Sequence, residues 1–169
     1  MDNLPMRKNF RALYALLTLS ALGACSLKSL DGSFDESQSC LTTRVKDGDS
    51  VLAVCDGKDV ELRLICIDAP ELSQKRYGAQ AKKALILALG DQFAAGFEDE
   101  DRYGRKLATL WRGSQEVNLQ MVLAGNALVY RAYCDQSSYL AAEAEAQRYQ
   151  RGVWDGRESF IPPWQWRRR

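Results

Sequence analysis

Two β-patterned runs, Ser50–Cys55 (SVLAVC) and Asp59–Ile67 (DVELRLICI), flank the dipeptide Asp56-Gly57. Asp-Gly between such runs is a strong hairpin signal, because the tight turn that joins two strands needs positive φ at its central residues. The second run alternates. Val60, Leu62 and Leu64 share one face, and Glu61 and Arg63 project from the other. Pro70 then stops the strand. Asp49 opens the first run and Asp68 closes the second, so the hairpin brings their carboxylates to the same end. Asp47 and Glu71 stand just outside them. Two carboxylates at close range raise each other's pKa unless a cation lies between them. All these donors are hard oxygens, which points to Ca²⁺ or Mg²⁺. Taken alone, the segments DGD and DAP also fit turn aspartates solvated at loop edges.

The remaining segments extend the pattern. Leu41–Val45 reads as a strand ahead of the hairpin. Ala79–Leu89 (AQAKKALILAL) is rich in helix formers and ends at Gly90, a C′ residue. Gln92–Phe97 and Lys106–Trp111 read as two more strands around the acidic, turn-like EDEDRYG. Asn118–Ala124 and Tyr139–Arg151 read as helices stopped by Gly125 and Gly152, and the tail IPPWQWRRR is not expected to be helical at its prolines. Three strands, a helix, two strands and two helices give an α+β class. The strand order is that of a five-stranded OB-fold Greek-key β-barrel, here with three helices.

The N-terminus reads as an address. Arg7, Lys8 and Arg11 precede the apolar run Ala12–Ala24, which is too short to span a bilayer of roughly 20 helical residues. Residues 1–24 are therefore expected to be a signal peptide. Leu22-Gly23-Ala24-Cys25 also resembles a bacterial lipobox, in which Cys25 becomes the lipidated first residue; plain cleavage after Ala24 is the alternative. Residues 25–39 are polar and serine-rich, as a tether is. The expected location is the periplasmic face of a bacterial envelope, or outside the cell, with membrane contact through the lipid alone. Removing the leader takes away Arg7, Lys8 and Arg11 against Asp2, so the net charge of +1 falls by two. A slightly acidic chain lacks the broad basic footprint of a non-specific DNA binder. The absence of histidine excludes a His general base, a Ser-His-Asp triad and the usual His-bearing zinc sites. Apart from Cys25 there are Cys40, Cys55, Cys66 and Cys134, an even set that suggests two disulfides in an exported chain, with three possible connectivities.

Six segments together resemble the staphylococcal nuclease (thermonuclease) family: KDGDSV (Lys46–Val51), LRLICIDAPE (Leu62–Glu71), YGAQA (Tyr77–Ala81), DRYGRKLA (Asp101–Ala108), VNLQMVLAGNA (Val117–Ala127) and RGVW (Arg151–Trp154). They fall in family order from about Cys40 to Trp154. The resemblance implies a nuclease domain over 40–155, with 156–169 as a Pro/Trp/Arg tail. It implies that Asp49, Asp68 and the backbone carbonyl of Ala69 hold one Ca²⁺, with Asp47 acting near it through water. Ala69 stands where the family often has Thr. It implies that Arg63 and Arg105 clamp the scissile phosphate, that Glu71 activates or orients the attacking water, and that Tyr103 and Tyr133 line the nucleotide pocket.

The implied activity is Ca²⁺-dependent hydrolysis of DNA or RNA, single-stranded or denatured, by in-line attack of a metal- and Glu-activated water in a monomer. The alternative is a catalytically inactive OB-fold nucleic-acid-binding module, but such modules usually lose the acids and arginines that are all present here. The strand pairing of the family implies disulfides Cys40–Cys55 and Cys66–Cys134. Three departures stand out, the first being that Cys40, Cys55, Cys66 and Cys134 are absent from the family's best-known member. The loop between Glu71 and Tyr77 is shorter than in the family's best-known member, which reduces a lid. Arg131 replaces a tyrosine, which trades base stacking for phosphate contact.

Overall fold

The computed structural model describes residues 37–169. The expected signal peptide, Cys25 and the tether up to residue 36 lie outside the described residues. In chain order the elements are β1 (Gln38–Val45), β2 (Ser50–Cys55), β3 (Lys58–Leu64), β4 (Ile67–Asp68), α1 (Lys75–Leu89), β5 (Gln92–Glu100), β6 (Lys106–Arg112), β7 (Gln115–Glu116), α2 (Val117–Leu123), β8 (Leu128–Val129) and α3 (Ser137–Arg148). A 3₁₀ turn, Gly152–Trp154, and a one-turn helix, α4 (Pro163–Trp166), follow.

Strands β1, β2 and β3 form an antiparallel meander, and β1 pairs on its other edge with β5, which pairs with β6. β6 then runs parallel beside β3, with Leu107 opposite Arg63, and this pairing closes a five-stranded mixed barrel. The hairpin turn is built as Asp-Gly turns require: Asp56 and Gly57 have φ of 49° and 76°. Leu62 and Leu64 point into the barrel and are fully buried, each burial stabilising by roughly 1.5–3 kcal/mol, while Arg63 between them faces the barrel mouth. Leu85 and Leu89 of α1 and Val117, Met121 and Val122 of α2 complete the same core. Asn118 bolts α2 to the barrel. Its Oδ1 accepts from the Leu110 amide, and its Nδ2 donates to the carbonyls of Ile65 and Ala108. A fully buried amide is tolerable only with its bonds made in this way.

Several element boundaries differ from the expectation. β3 stops at Leu64 rather than Ile67, because Cys66 adopts φ of 64° and turns the chain. Ile67 and Asp68 then pair with Val129 and Leu128 as a separate small ladder, which places Asp68 at the barrel mouth. β5 continues to Glu100 through a bulge between Phe97 and Asp99, so the acidic stretch is partly strand. Helix α1 starts at Lys75 instead of Ala79, and its early residues Tyr77 and Gly78 are buried. The tail does form a helical turn: Pro163 sits at its first position, where a missing N–H leaves nothing unpaired and the fixed φ already suits a helix.

Two disulfides brace the barrel. Cys40 and Cys55 face each other across the β1–β2 ladder, with Cα atoms 4.2 Å apart. Cys66 joins Cys134 at 4.8 Å, tying the turn that precedes Asp68 to the loop after β8.

Candidate active site

Asp49, Arg63 and Asp68 form one wall of the site, and all three sit on or beside strand ladders. Asp49 precedes β2, Arg63 lies in β3 opposite Ser50, and Asp68 ends β4. The Arg63 guanidinium spans both acids, with Nη1 3.1 Å from Asp49 Oδ2 and Nη2 3.3 Å from Asp68 Oδ1. Its Nη1 also donates to the Leu64 carbonyl at 2.9 Å. Asp49 is 7 % exposed and Asp68 1 %. Asp49 Oδ2 accepts a 2.6 Å bond from the Ala69 amide, and its Oδ1 accepts from Ser50 Oγ at 3.2 Å. Burial pushes the Asp49 carboxyl up to about 7 against the pull of Arg63, and the neighbouring charges of Asp47 and Asp68 push the same way. Asp47 itself accepts a bond from the Asp49 amide, which shapes the DGD turn. Gly48 allows that turn to sit flat: a Cβ there would lie 2.6 Å from the Ala69 Cβ and 2.7 Å from the Ala81 Cβ.

Glu71 stands on a short loop held by few but specific contacts. Its amide donates to Gln74 Oε1, and Gln74 Nε2 donates to the Ile161 carbonyl. Gly78 of α1 presses against the Glu71 backbone, where an added Cβ would be 2.1 Å from the carbonyl oxygen. Only glycine admits so close an approach. Arg105 immediately precedes β6, on the strand paired with Arg63's strand. Its guanidinium is folded onto Asp101, with Nε 2.8 Å and Nη2 2.7 Å from Oδ2, and lies 5.6 Å from the centroid of the Tyr103 ring. Lys46, Glu61, Tyr103 and Arg105 line an open depression that includes none of the site's acids Asp49, Asp68 and Glu71. Tyr103 and Tyr133 are 71 % and 77 % exposed, so both rings are open to a ligand. Arg131 pairs with the buried Glu143 at 2.5 Å, while Glu143 Oε1 accepts from the Val129 amide. Arg131 is therefore engaged with the protein's own carboxylate.

Two further groups enter the site without any motif to announce them. Tyr130 stacks on Trp164 of the tail at 5.9 Å between centroids and packs against Tyr133 at 5.0 Å. Arg167, from the basic end of the tail, reaches the acids. Its Nη1 lies 3.1 Å from Asp68 Oδ1 and 2.6 Å from Glu71 Oε1, and its Nη2 lies 2.7 Å from Asp68 Oδ2. The tail also docks on α1, where Phe160 meets the Tyr77 ring edge-on at 5.2 Å, next to the pair of Arg76 with Asp155 at the end of the domain.

Residues 61–156 match the family described as Staphylococcal nuclease homologue. The match spans β3 to the 3₁₀ turn and includes Arg63, Asp68, Glu71 and Arg105, with Asp49 just upstream on the paired strand. The chain belongs to the staphylococcal nuclease family. Among similar proteins, an "Uncharacterized endonuclease" of Haemophilus influenzae is 36 % identical over 155 residues, covering 90 % of this chain and 82 % of that protein. "Protein ParB" of Escherichia coli is 34 % identical over 74 % of this chain and 76 % of its own length. The "Thermonuclease" of Staphylococcus intermedius is 31 % identical over 74 % and 84 %.

The chemistry of this staphylococcal nuclease site suits a hard divalent cation. Two buried carboxylates share one arginine, and burial, with the charges of Asp47 and Asp68 adding to it, pushes the Asp49 carboxyl toward protonation. The described residues hold no group of three or more His, Cys, Asp or Glu side chains set to bind a metal. The buried carboxylates available to such an ion are those of Asp49 and Asp68. Ca²⁺ takes about 6–8 oxygen ligands, and water or a phosphate can complete such a set.

Proposed function

We propose that the chain is a Ca²⁺-dependent nuclease that hydrolyses phosphodiester bonds of DNA, RNA or both, as single strands or denatured duplex. The observation that carries this reading is the bridge of Arg63 across buried Asp49 and Asp68, with Glu71 a few residues away at the same barrel mouth. Membership of the family, and relatives named as endonuclease and thermonuclease, support phosphodiester hydrolysis.

In this reading Asp49, Asp68 and the Ala69 carbonyl hold one Ca²⁺, whose charge, when it is bound, offsets that of the scissile phosphate. Glu71 accepts the proton of the attacking water or holds that water in line with the leaving oxygen. Arg63 and Arg105 donate to phosphate oxygens as charge grows on them, the kind of contact that contributes most to rate. Arginine is a poor acid at neutral pH, so Arg105 acts as a hydrogen-bond donor; it must leave Asp101 to do so. Tyr103 and Tyr133 offer exposed rings to the nucleotide. The basic and apolar N-terminal run supports export, with Cys25 lipidated or the leader cut after Ala24.

Release of acid-soluble nucleotides from heat-denatured DNA and from RNA, measured with Ca²⁺ and with EGTA, tests the reading. Release that requires Ca²⁺ is expected. Binding of nucleic acid without any cleavage would instead mark the chain as an inactive binding module.

A further inference from the structure

We propose that Arg167 occupies the cation's place in the resting enzyme, and that it must release Asp68 before a divalent cation binds. The strap of residues 156–169 thereby sets how tightly the site takes its metal. This rests on the assignment of Asp68 as a cation ligand.

Three observations carry it. First, the contact is built. Trp164 is stacked on Tyr130, Trp166 Nε1 donates to Ser73 Oγ at 2.8 Å, and Gln74 holds the Ile161 carbonyl at 2.7 Å. These anchors lie just before and within the helical turn, and the Arg167 amide closes that turn by donating to the Pro163 carbonyl. The strap therefore delivers one guanidinium to one place across a separation of 99 residues from Asp68.

Second, the contact uses the atoms a metal needs. Both oxygens of Asp68 accept from Arg167, and Oδ1 also faces Arg63. Ca²⁺ binds a carboxylate oxygen at about 2.3–2.6 Å. A guanidinium nitrogen 2.7 Å from Asp68 Oδ2 stands where that ion would be. The same fork holds Glu71 Oε1, so the base is engaged as well.

Third, three acids against Arg63 and Arg167 leave one net negative charge, which a dication in place of Arg167 removes and a dication beside it overshoots. Asp49, Asp68 and Glu71 face Arg63 and Arg167. Replacing Arg167 by a dication neutralises the three acids, whereas adding the dication beside it leaves an excess positive charge at short range.

Calorimetric titration of the full chain with CaCl₂, without nucleic acid, reads the effect directly. Arg167→Ala is expected to bind Ca²⁺ at least about tenfold more tightly than the wild type, as loss of a like charge in contact with the ligand should allow. Arg167→Lys should fall between them, since it keeps the charge but not the bidentate fork. Arg168→Ala, whose side chain makes none of these contacts, should match the wild type. Asp68→Asn should abolish binding in every background. Backbone hydrogen exchange of the wild type should show residues 160–169 losing protection on saturation with Ca²⁺.

If Arg167→Ala binds no tighter while Asp68→Asn still abolishes binding, the inference is overturned and the cation site stands. If Asp68→Asn leaves Ca²⁺ binding intact, the cation site itself is wrong and the inference falls with it. Unchanged protection of the strap in saturating Ca²⁺, with binding dependent on Asp68, also overturns the release step.

Discussion

The two walls of the site are built differently. The barrel wall, Asp49, Arg63 and Asp68, rides on strand ladders and is nearly closed to water. The outer wall, Glu71, Arg105, Tyr103, Tyr133 and Arg167, hangs on loops and the strap and is held by side-chain contacts that can be exchanged. A buried charge cannot lose its partner cheaply, so the barrel wall joins stability to function. An exposed charge can change partners at little cost, so the outer wall can be altered for function alone. The difference holds Asp49, Arg63 and Asp68 in place while Glu71, Arg105 and Arg167 stay able to change partners.

The sharpest way to break this comparison is Arg63→Ala. It leaves buried Asp49 without its cation while Asp68 keeps Arg167, and we expect a loss of roughly 3–5 kcal/mol in urea unfolding without metal, together with loss of nuclease activity. A variant that is inactive yet as stable as the wild type would place Arg63 with the outer wall. Arg105→Ala should do the opposite. Its kcat should fall by at least about a hundredfold, while its stability changes by about 1 kcal/mol, since it loses one partly buried pair with Asp101 at the rim of the site. A comparable fall in stability would show that the outer wall is structural.

The disulfides divide along the same line. Replacing Cys40 and Cys55 by serine should cost about 2–4 kcal/mol of stability and leave turnover of the folded enzyme intact. Replacing Cys66 and Cys134 should cost a similar amount and also reduce turnover, because that bond fixes the turn before Asp68 to the loop carrying Tyr133. Equal turnover in both pairs would remove the distinction.

The smallest effect concerns acid. Burial favours the neutral form of Asp101, but the Arg105 side chain, with amide bonds from Arg105 and Tyr103, outweighs it and holds the carboxyl below its usual range. A lowered carboxylate contributes stability that is fully present above its unfolded value of 3.8 and is lost as pH falls through its folded value. Thermal midpoints followed from pH 5 to pH 3 should therefore drop less in Asp101→Asn than in the wild type. An identical drop would show that Asp101 does not hold Arg105 in solution.

The barrel wall was also the legible one. Asp-Gly fixes the hairpin, period-two alternation separates Leu62 and Leu64 from Arg63, and the hairpin register sets Asp49 beside Arg63, while Asp68 reaches the same end through the β4–β8 ladder. The run ICID gave no sign of the break at Cys66, because an apolar stretch reads as unbroken strand and a positive φ at a cysteine has no compositional mark. The two-residue strand β8 is too short for any periodicity. Tyr130 and Arg167 were out of reach for a different reason. Their roles arise when the tail packs back across the site, and a Pro/Trp/Arg sequence does not state where it will dock.

Glu71 tests the assembled site most directly, because it is the outer-wall residue closest to the proposed chemistry and its replacement by glutamine keeps shape and volume. Turnover of denatured DNA at saturating Ca²⁺ should be compared in the wild type and Glu71→Gln, with thermal unfolding of each as a check on folding. A fall in kcat of at least about a hundredfold, with both proteins equally folded, is expected. Near-wild-type turnover in a folded Glu71→Gln would contradict the assignment of this barrel mouth as the site of phosphodiester hydrolysis.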